Sequence, residues 1–427
     1  MFCRIKSGFL KQKTKLNFVN GDFIGGVYIK IKVCDALMGS GKTSAAINYM
    51  NRNPNKNFIF ITPFLEEVKR IKNACFERKF VEPFFSEDHN KLDSLKLQLK
   101  SSRNVASTHA LFKRYDPEVV DLIRSGNYTL ILDEVADVVE MMRVTEFDVG
   151  ILLNMKMISI DERGGVHWIA DTYPNNGDHS NEMRLIKNGH VVMDDGQLML
   201  WLFPAEIFEA FDNVIVLTHM FDAQVQKYYY DYCGLEYEYI GLTPEYEFCD
   251  IVDTKQDHSW MKDKIHIIDD QKLNEIGNNQ YALSVSWFDR DKKNHKKRNI
   301  EQLHKTAENV VRNRWNAASG DILWSTFIEY KSSISGKGYA RSFLEYNARA
   351  TNNYRERKYL MYFVNIFFLV DIKSFFLQNG IIVNEDRYAL SVMLQWLWRS
   401  AIREHNDVYL FLPSSRMRRL LTEWIQS

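Results

Sequence analysis

The sequence predicts an α/β fold in which parallel sheets are flanked by helices, and three observations lead to it. A glycine-rich loop within residues 34–50 lies between a strand-like run and a segment with helical apolar spacing. Apolar runs that end in polar residues then alternate with helical segments along the chain. Between about residues 145 and 205 the pattern changes to Asn-Gly and Asp-Gly turns, which indicates hairpins inserted into the first domain.

Composition indicates a large globular protein. The chain has 427 residues, 45% of them hydrophobic, with only 8 Pro and 20 Gly, which excludes disordered and fibrous classes and allows two or three domains. Its 55 basic and 55 acidic residues balance, so any surface for nucleic acid must be local. The five cysteines form no CxxC pair, which disfavours zinc and disulfide frameworks and favours the cytoplasm. No signal peptide is predicted, and the most apolar window, 359–376, is broken by polar residues, so no membrane segment is expected.

The first element is a strand, a glycine-rich loop and a helix. Its spacing matches a phosphate-binding P-loop, although Ala36 stands where Gly is commonest. Glycine lets the backbone N–H groups turn toward phosphate, Lys42 would reach the β- and γ-phosphates, and the Thr43 hydroxyl would bind Mg²⁺. A glycine turn with a chance lysine is the alternative. The predicted nucleotide-binding residues are Ala36, Met38, Gly39, Ser40, Gly41, Lys42, Thr43 and Ser44.

The second informative element is an apolar strand that ends in two carboxylates. Residues 130–132 are Leu-Ile-Leu, and Asp133 and Glu134 follow directly. This is the Walker B pattern, in which Asp133 would hold Mg²⁺ and Glu134 would orient or deprotonate the attacking water. The alternative is an ordinary surface pair at a strand end. His219 follows another apolar strand at 214–217, where sensing of a γ-phosphate and simple packing are both open.

The other elements follow the same alternation. A strand runs into a helix at Thr62-Pro63, and a further strand end and helix are predicted around 105–115. A second unit is expected from about residue 237. A basic run at 290–314 is either a solvated helix face or a phosphate contact. Residues 321–327 and 408–413 predict strands, and 354–368 and 414–425 predict helices, the latter at the end of the chain. Residues 390–402 predict one long helix that places Arg399 and Arg403 on the same face.

In this order the motifs resemble those of superfamily-two helicases and nucleic-acid translocases, more narrowly the DEAD-like helicase proteins of bacteriophages. The resemblance covers about Lys32 to the C-terminus. It implies nucleic-acid contacts at Thr62, Pro63, Ser107, Thr108, His109, Thr351 and Asn352. It also implies a nucleotide contact at Gln395 and an arginine finger at Arg399 or Arg403. Trp398 stands where the family usually has Gly, and the arginines are spaced by four instead of three, so the choice between them stays open.

The resemblance implies two RecA-like P-loop NTPase domains, at 31–235 and 236–427, after an N-terminal extension at 1–30. It implies an ATP- and Mg²⁺-dependent helicase or translocase that acts on nucleic acid, DNA before RNA. We accordingly expect a role in phage replication or recombination, phage replication proteins as partners, and localisation in the host cytoplasm. A terminase-like packaging ATPase, a nucleoside-kinase type of P-loop enzyme and a non-enzymatic binding module are the alternatives.

Overall fold

The computed structural model describes residues 31–86, 90–142, 144–161, 164–170, 180–187, 190–194, 198–250, 258–293, 298–348 and 353–427. The expected N-terminal extension and the predicted contacts Thr351 and Asn352 lie outside these residues.

Sixteen strands are assigned within the described ranges. They are β1 (Ile31–Asp35), β2 (Asn57–Thr62), β3 (Val105–Thr108), β4 (Tyr128–Asp133), β5 (Val139–Met141), β6 (Ile158–Ile160), β7 (Val166–Trp168), β8 (Val191–Asp194), β9 (Leu198–Leu202), β10 (Asn213–Thr218), β11 (Tyr237–Leu242), β12 (Phe248–Asp250), β13 (Ile265–Ile267), β14 (Ile322–Ser325), β15 (Tyr359–Tyr362) and β16 (Val408–Phe411).

The same ranges contain sixteen α-helices. They are α1 (Lys42–Arg52), α2 (Leu65–Ala74), α3 (Lys91–Lys100), α4 (His109–Phe112), α5 (Pro117–Ser125), α6 (Glu146–Asn154), α7 (Ser180–Lys187), α8 (Ala205–Glu209), α9 (Val225–Cys233), α10 (Gln271–Asn274), α11 (Val285–Lys293), α12 (Arg298–Asn309), α13 (Lys331–Ile334), α14 (Val370–Gln378), α15 (Glu385–Leu397) and α16 (Ser415–Gln426).

The first sheet has seven strands in the order β12-β11-β1-β10-β4-β2-β3, and every strand except β12 runs parallel to its neighbour. Helices cover both faces, so the central strands are buried on both sides and read as continuous apolar runs. Along β4, for example, Leu130 and Leu132 enter one core and Ile131 enters the other. The predicted α/β architecture is confirmed.

The first sheet continues beyond residue 236, where the second domain was expected to begin. Strand β11 pairs parallel with β1, and β12 returns antiparallel beside β11. The segment 237–250 is therefore an edge hairpin of the first sheet. The first strand of the second sheet, β13, comes later in the chain.

The insertion between β4 and β10 contains the predicted hairpins. Strands β8 and β9 pair antiparallel and are joined by β5 into a three-stranded sheet, while β6 and β7 form a separate two-stranded hairpin. Helices α6 and α7 accompany them. Buried residues of this insertion, such as Trp201 and Phe203, join the core beneath the first sheet.

The second sheet is fully parallel, in the order β13-β16-β15-β14. It corrects the helix expected at 354–368, because Tyr359–Tyr362 forms β15 at the buried centre of the sheet. A short apolar run has the same periodicity in a buried strand as in a buried helix, so the pattern alone could not decide. Strands at 322–325 and 408–411 and the terminal helix agree with the prediction.

The long helix expected at 390–402 is also corrected. Helix α15 starts at Glu385, where the Asn384 side chain accepts a hydrogen bond from Arg387 N, and it ends at Leu397. A 3₁₀ helix then begins at Ala401, capped by the Ser400 hydroxyl. Arg399 and Arg403 therefore do not share one helical face.

Helix α14 lies in the second half of the sequence but packs into the core of the first sheet. Its Ile372, Phe375 and Phe376 are buried there. The rings of Phe376 and of Tyr228 on α9 pack together, with 5.8 Å between their centroids. The next residues continue the contact, since Asn384 N donates a 3.0 Å hydrogen bond to Tyr228 Oη. The two halves of the chain are thus tied together through this helix.

Candidate functional site at the cleft between the two sheets

The predicted P-loop forms the turn between β1 and α1. Gly39 and Gly41 have φ values of 82° and 92°, a left-handed region that glycine enters without a steric cost, and Gly41 caps α1. The loop is anchored at its start by Asp35, whose carboxylate accepts hydrogen bonds from Met220 N and Phe221 N at 2.7 and 2.8 Å. Sequence reasoning missed this role of Asp35, because a single carboxylate at a strand end carries no signal of its partners.

Lys42 lies at the centre of the loop. Its ammonium donates hydrogen bonds of 2.6 and 2.8 Å to the carbonyl oxygens of Ala36 and Leu37. Burial lowers the pKa of Lys42, and the nearby acidic groups, including Asp133 and Glu134, act in the opposite direction. The cation is therefore held by the loop, close to the carboxylates at the end of β4.

The remaining predicted loop residues surround this lysine. Gly39 and Ser40 are exposed, while Thr43 and Ser44 are half-buried in the first turn of α1. Leu37 and Met38 turn the other way and pack against the core of the second sheet. The loop thus contacts both halves of the protein.

Asp133 ends β4 within a group of carboxylates. Burial, followed by the charges of Glu134 and Glu67, raises the pKa of Asp133 to about 7. A cation bound here would relieve that repulsion, and hydroxyl and carboxylate oxygens are the ligands that Mg²⁺ prefers. The residues therefore fit the magnesium ion expected between Thr43 and Asp133. No group of three or more His, Cys, Asp or Glu side chains in the described part forms a metal site by itself.

Glu134 has a left-handed backbone, with φ of 64°, directly after the strand. Its N–H donates a 2.9 Å hydrogen bond to Leu217 O on β10. This conformation is uncommon outside glycine and turns the chain sharply at the end of β4. The Glu134 carboxylate acts electrostatically on both Lys42 and Arg399, so it lies near both groups.

Two of the predicted nucleic-acid residues, Thr62 and His109, form hydrogen bonds to Asp133 at the end of β4. Thr62 is fully buried, and its hydroxyl donates a 3.2 Å hydrogen bond to Asp133 Oδ2. His109 Nε2 donates to the Asp133 carbonyl oxygen at 2.9 Å, and Ser107 is buried beside it on β3. Thr62 therefore bonds to the Asp133 carboxylate, and His109 bonds to the backbone of the same residue. Pro63 and Thr108 are half-buried at the same strand ends.

The second half reaches the P-loop through the turn after α15. A Cβ built on Gly39 would lie 3.8 Å from Trp398 Nε1, so the indole packs directly against the loop. Arg399 follows, and Glu134 is the acidic group that acts on it. Burial lowers the pKa of Arg399, and its Nε is buried with no hydrogen-bond partner among the residues described. Gln395 is half-buried in the last turn of α15.

Arg403 has a different set of charged neighbours from Arg399. Burial lowers its pKa, and the charges that act on it come from Arg355, Glu404, Arg70 and Glu67. Arg70 and Glu67 belong to α2, so Arg403 lies toward that helix and Arg399 toward the phosphate loop. The break between α15 and the 3₁₀ helix causes this separation.

His219 lies at the end of β10, next to the P-loop strand. Its ring is 6% exposed and stands edge-on to Trp424 of α16 at 6.5 Å. Burial, with the positive charge of Lys42, lowers the pKa of His219 to about 3, so the ring is neutral. Neither ring nitrogen has a hydrogen-bond partner in the part of the chain that is described.

The aromatic residues around the basic run belong to the core of the second sheet. Trp287 and Trp315 are partly buried and pack against the second core. The cations of α11 and the following segment, such as Arg290 and Arg312, are on the surface. This arrangement matches a solvated helix face.

Comparisons with known proteins place the chain in a family. Residues 259–425 match the model of the YonV C-terminal Rossmann-like domain. The SPbeta prophage-derived protein YonV of Bacillus subtilis (strain 168) is 40% identical over 417 residues, which cover 93% of this chain and 99% of the relative.

Three solved helicase structures match this chain at low similarity. The match to an XPD helicase spans 92% of this chain and 95% of the helicase chain, with 10% sequence identity and a TM-score of 0.43. The match to Xpd4 of S. tokodaii spans 93% of this chain and 94% of Xpd4, with 10% identity and a TM-score of 0.45. The match to the DUF1998 helicase MrfA bound to DNA spans 94% of this chain and 46% of MrfA, with 9% identity and a TM-score of 0.36. The chain-long match in sequence is the decisive one, and the protein belongs to the YonV family.

Proposed function

We propose that the protein is an ATP-dependent nucleic-acid helicase or translocase. One observation carries the proposal: the second half of the chain brings Arg399 to the same cleft in which the first half holds Lys42, Asp133 and Glu134. A phosphate loop, two strand-end carboxylates and a guanidinium from another part of the chain are the parts that phosphoryl transfer to water requires.

The residues have separate roles in this proposal. The P-loop N–H groups and Lys42 bind the phosphates, and Glu134 orients the attacking water. Thr43 and Asp133 hold Mg²⁺, which would neutralise charge on the phosphates when bound. Arg399 stabilises the negative charge that develops on the transferred phosphoryl group, an effect worth about a thousandfold or more in rate. Gln395 lies one helical turn before Arg399 and is proposed as a further nucleotide contact.

Two lobes are proposed to move relative to one another during this cycle. The first contains the seven-stranded sheet, and the second contains the sheet of β13 to β16. Because Arg399 and Trp398 approach the P-loop, loss of the γ-phosphate would weaken the contact between lobes. Nucleic acid is proposed to lie across the ends of β2 and β3, where Pro63 and Thr108 are found, and near Thr351, Asn352 and Arg403.

The biological setting is proposed from the relative. Its name describes a prophage-derived protein. We therefore propose a role in phage DNA replication or recombination in the host cytoplasm. No helix in the described ranges combines the length and apolarity that a membrane crossing needs.

The test is the rate of ATP hydrolysis with single-stranded DNA, forked DNA and RNA, measured for the wild type and for Lys42→Ala. We expect stimulation by DNA and loss of turnover in the variant. An unchanged rate over a full DNA titration would contradict the motor, and near-normal hydrolysis by Lys42→Ala would contradict the site. Direct assay of phosphate transfer to a nucleoside separates this proposal from a nucleoside kinase.

A further inference from the structure

The hairpin between β11 and β12 lies against the phosphate loop. A Cβ built on Gly41 would be 2.3 Å from both Cδ1 and Cε1 of Tyr246, so the tyrosine ring rests on the glycine backbone. Only a residue without a side chain allows that approach. Tyr246 as a whole nevertheless remains 47% exposed. A tyrosine that is still accessible to solvent therefore stands at the rim of the loop that binds phosphates.

The turn that carries Tyr246 is fixed in place. Thr243 N donates to Glu247 O at 2.9 Å, and Tyr246 N donates to Thr243 O at 3.0 Å. Tyr246 itself has a left-handed backbone with φ of 58°, which is uncommon for an aromatic residue. The turn is compact and holds the ring in one direction.

The same turn is attached to α1. Asn48 Nδ2 donates a 3.0 Å hydrogen bond to Tyr246 O, and Arg52 forms an ion pair with Glu247. Gly41, Asn48 and Arg52 are spaced by seven and four residues, so they share one face of the helix start and body. Ser44 belongs to this face as well, since it lies four residues before Asn48. The ring thus covers the side of α1 that begins at the phosphate loop.

The order of strands shows which end of a nucleotide would reach this side. Asp133, Glu134 and Arg399 gather at the end of β4, and β10 lies between β4 and β1. The γ-phosphate belongs at that end. Ligands in open α/β sheets lie outside the carboxyl ends of the strands. The remainder of the nucleotide therefore extends in the opposite direction, over β1 and toward β11, where Tyr246 stands.

We propose that Tyr246 stacks on the nucleobase of the bound nucleoside triphosphate. The inference rests on the proposed nucleotide site and adds to it the group that recognises the base, for which the P-loop itself has no contact. Stacking uses the face of the ring and not its hydroxyl, so phenylalanine would serve as well. A purine presents the larger face and is the expected base.

The experiment compares ATP with inorganic tripolyphosphate, which carries the phosphates without a base. Binding of each, with Mg²⁺, is measured by calorimetry for the wild type, Tyr246→Ala, Tyr246→Phe and Tyr281→Ala. We expect Tyr246→Ala to weaken ATP binding about tenfold and to leave tripolyphosphate binding unchanged. Tyr246→Phe should keep the wild-type affinity for both. Tyr281, which is 52% exposed in the second half of the chain, is the matched control, and its variant should resemble the wild type.

Two outcomes would overturn the inference. If Tyr246→Ala bound ATP as well as the wild type does, the ring would have no role in binding. If it bound both ligands more tightly, the ring would be an obstruction over the loop. Lys42→Ala distinguishes these results from failure of the proposed function, because it should lose both ligands. Normal binding of both by Lys42→Ala would refute the phosphate site itself.

Discussion

Thr62 Oγ1 donates a hydrogen bond of 3.2 Å to Asp133 Oδ2, which joins the carboxyl ends of the neighbouring strands β2 and β4. The bond is partly buried and engages one carboxylate oxygen while Glu134 and Glu67 lie nearby. Charge is thus concentrated at one point of the sheet edge. Because these groups raise the pKa of Asp133, its protonation should affect the stability of the folded protein.

The stability of the protein should depend on pH through Asp133. Its pKa is raised from 3.8 to about 7, so between about pH 4 and pH 7 the native carboxyl keeps a proton that the unfolded chain has released. The free energy of unfolding contributed by this group therefore falls as pH rises through that window. Asn resembles the protonated acid, so Asp133→Asn should be more stable than the wild type at pH 8 without Mg²⁺, by about 1 to 3 kcal/mol.

This difference is measured by urea unfolding at pH 5 and pH 8. Asp121→Asn is the control, since Asp121 is an exposed carboxylate at 78% side-chain exposure. Equal stability of wild type and Asp133→Asn at both pH values would contradict the assignment. Added Mg²⁺ should raise the melting temperature of the wild type and leave that of Asp133→Asn unchanged.

Lys42→Ala should abolish ATP hydrolysis. The ammonium is the cation at the centre of the loop, and no other side chain contacts the carbonyl oxygens of Ala36 and Leu37 in its place among the hydrogen bonds described. Steady-state phosphate release measures the effect, expected as a loss of about 10³-fold or more. Lys100→Ala removes an exposed lysine bound to Glu118 and should hydrolyse ATP at the wild-type rate.

Arg399→Ala and Arg403→Ala should differ. Arg399 lies beside Glu134, so its loss should lower kcat by about 10³-fold while ATP still binds. Arg403 lies toward α2, so its variant should keep most of the DNA-independent rate and lose stimulation by DNA. Single-turnover hydrolysis with and without DNA separates the two. A larger loss of the DNA-independent rate in Arg403→Ala would assign the finger to Arg403.

Phe376→Ala should destabilise the protein by about 3 to 5 kcal/mol. Its ring is fully buried in the core of the first sheet, although it lies on α14 in the second half of the chain. Leu377 is the neighbouring residue and is 59% exposed, so Leu377→Ala should change the free energy of unfolding by less than about 0.5 kcal/mol. Urea unfolding compares them, and equal values would mean that α14 is not part of that core.

Part of this architecture follows directly from sequence. Parallel strands buried on both faces give continuous apolar runs, so β2, β4, β10 and β16 could be located from their residues alone. The glycine loop could also be located, because phosphate binding constrains the spacing of the residues within it. The Asp133-Glu134 pair could be located because it directly follows an apolar strand.

Other parts depend on contacts that are distant in sequence. The run at Tyr359–Tyr362 forms a strand because it pairs with β14 on one side and with β16 on the other. Helix α15 ends at Leu397 because Trp398 packs on Gly39 and Ser400 caps the next turn. Tyr246 meets Gly41 only after β11 has paired with β1. Local periodicity contains none of these pairings.

The position of α14 has a consequence for dividing the protein into fragments. A fragment that stops at residue 250 would expose the cavity left by Phe375 and Phe376, and a fragment that begins at residue 258 would carry those rings unshielded in solvent. A chimera that exchanges one half with a related protein must therefore keep α14 from the same protein as the first sheet. A chain cut between the halves should instead purify as a single non-covalent complex.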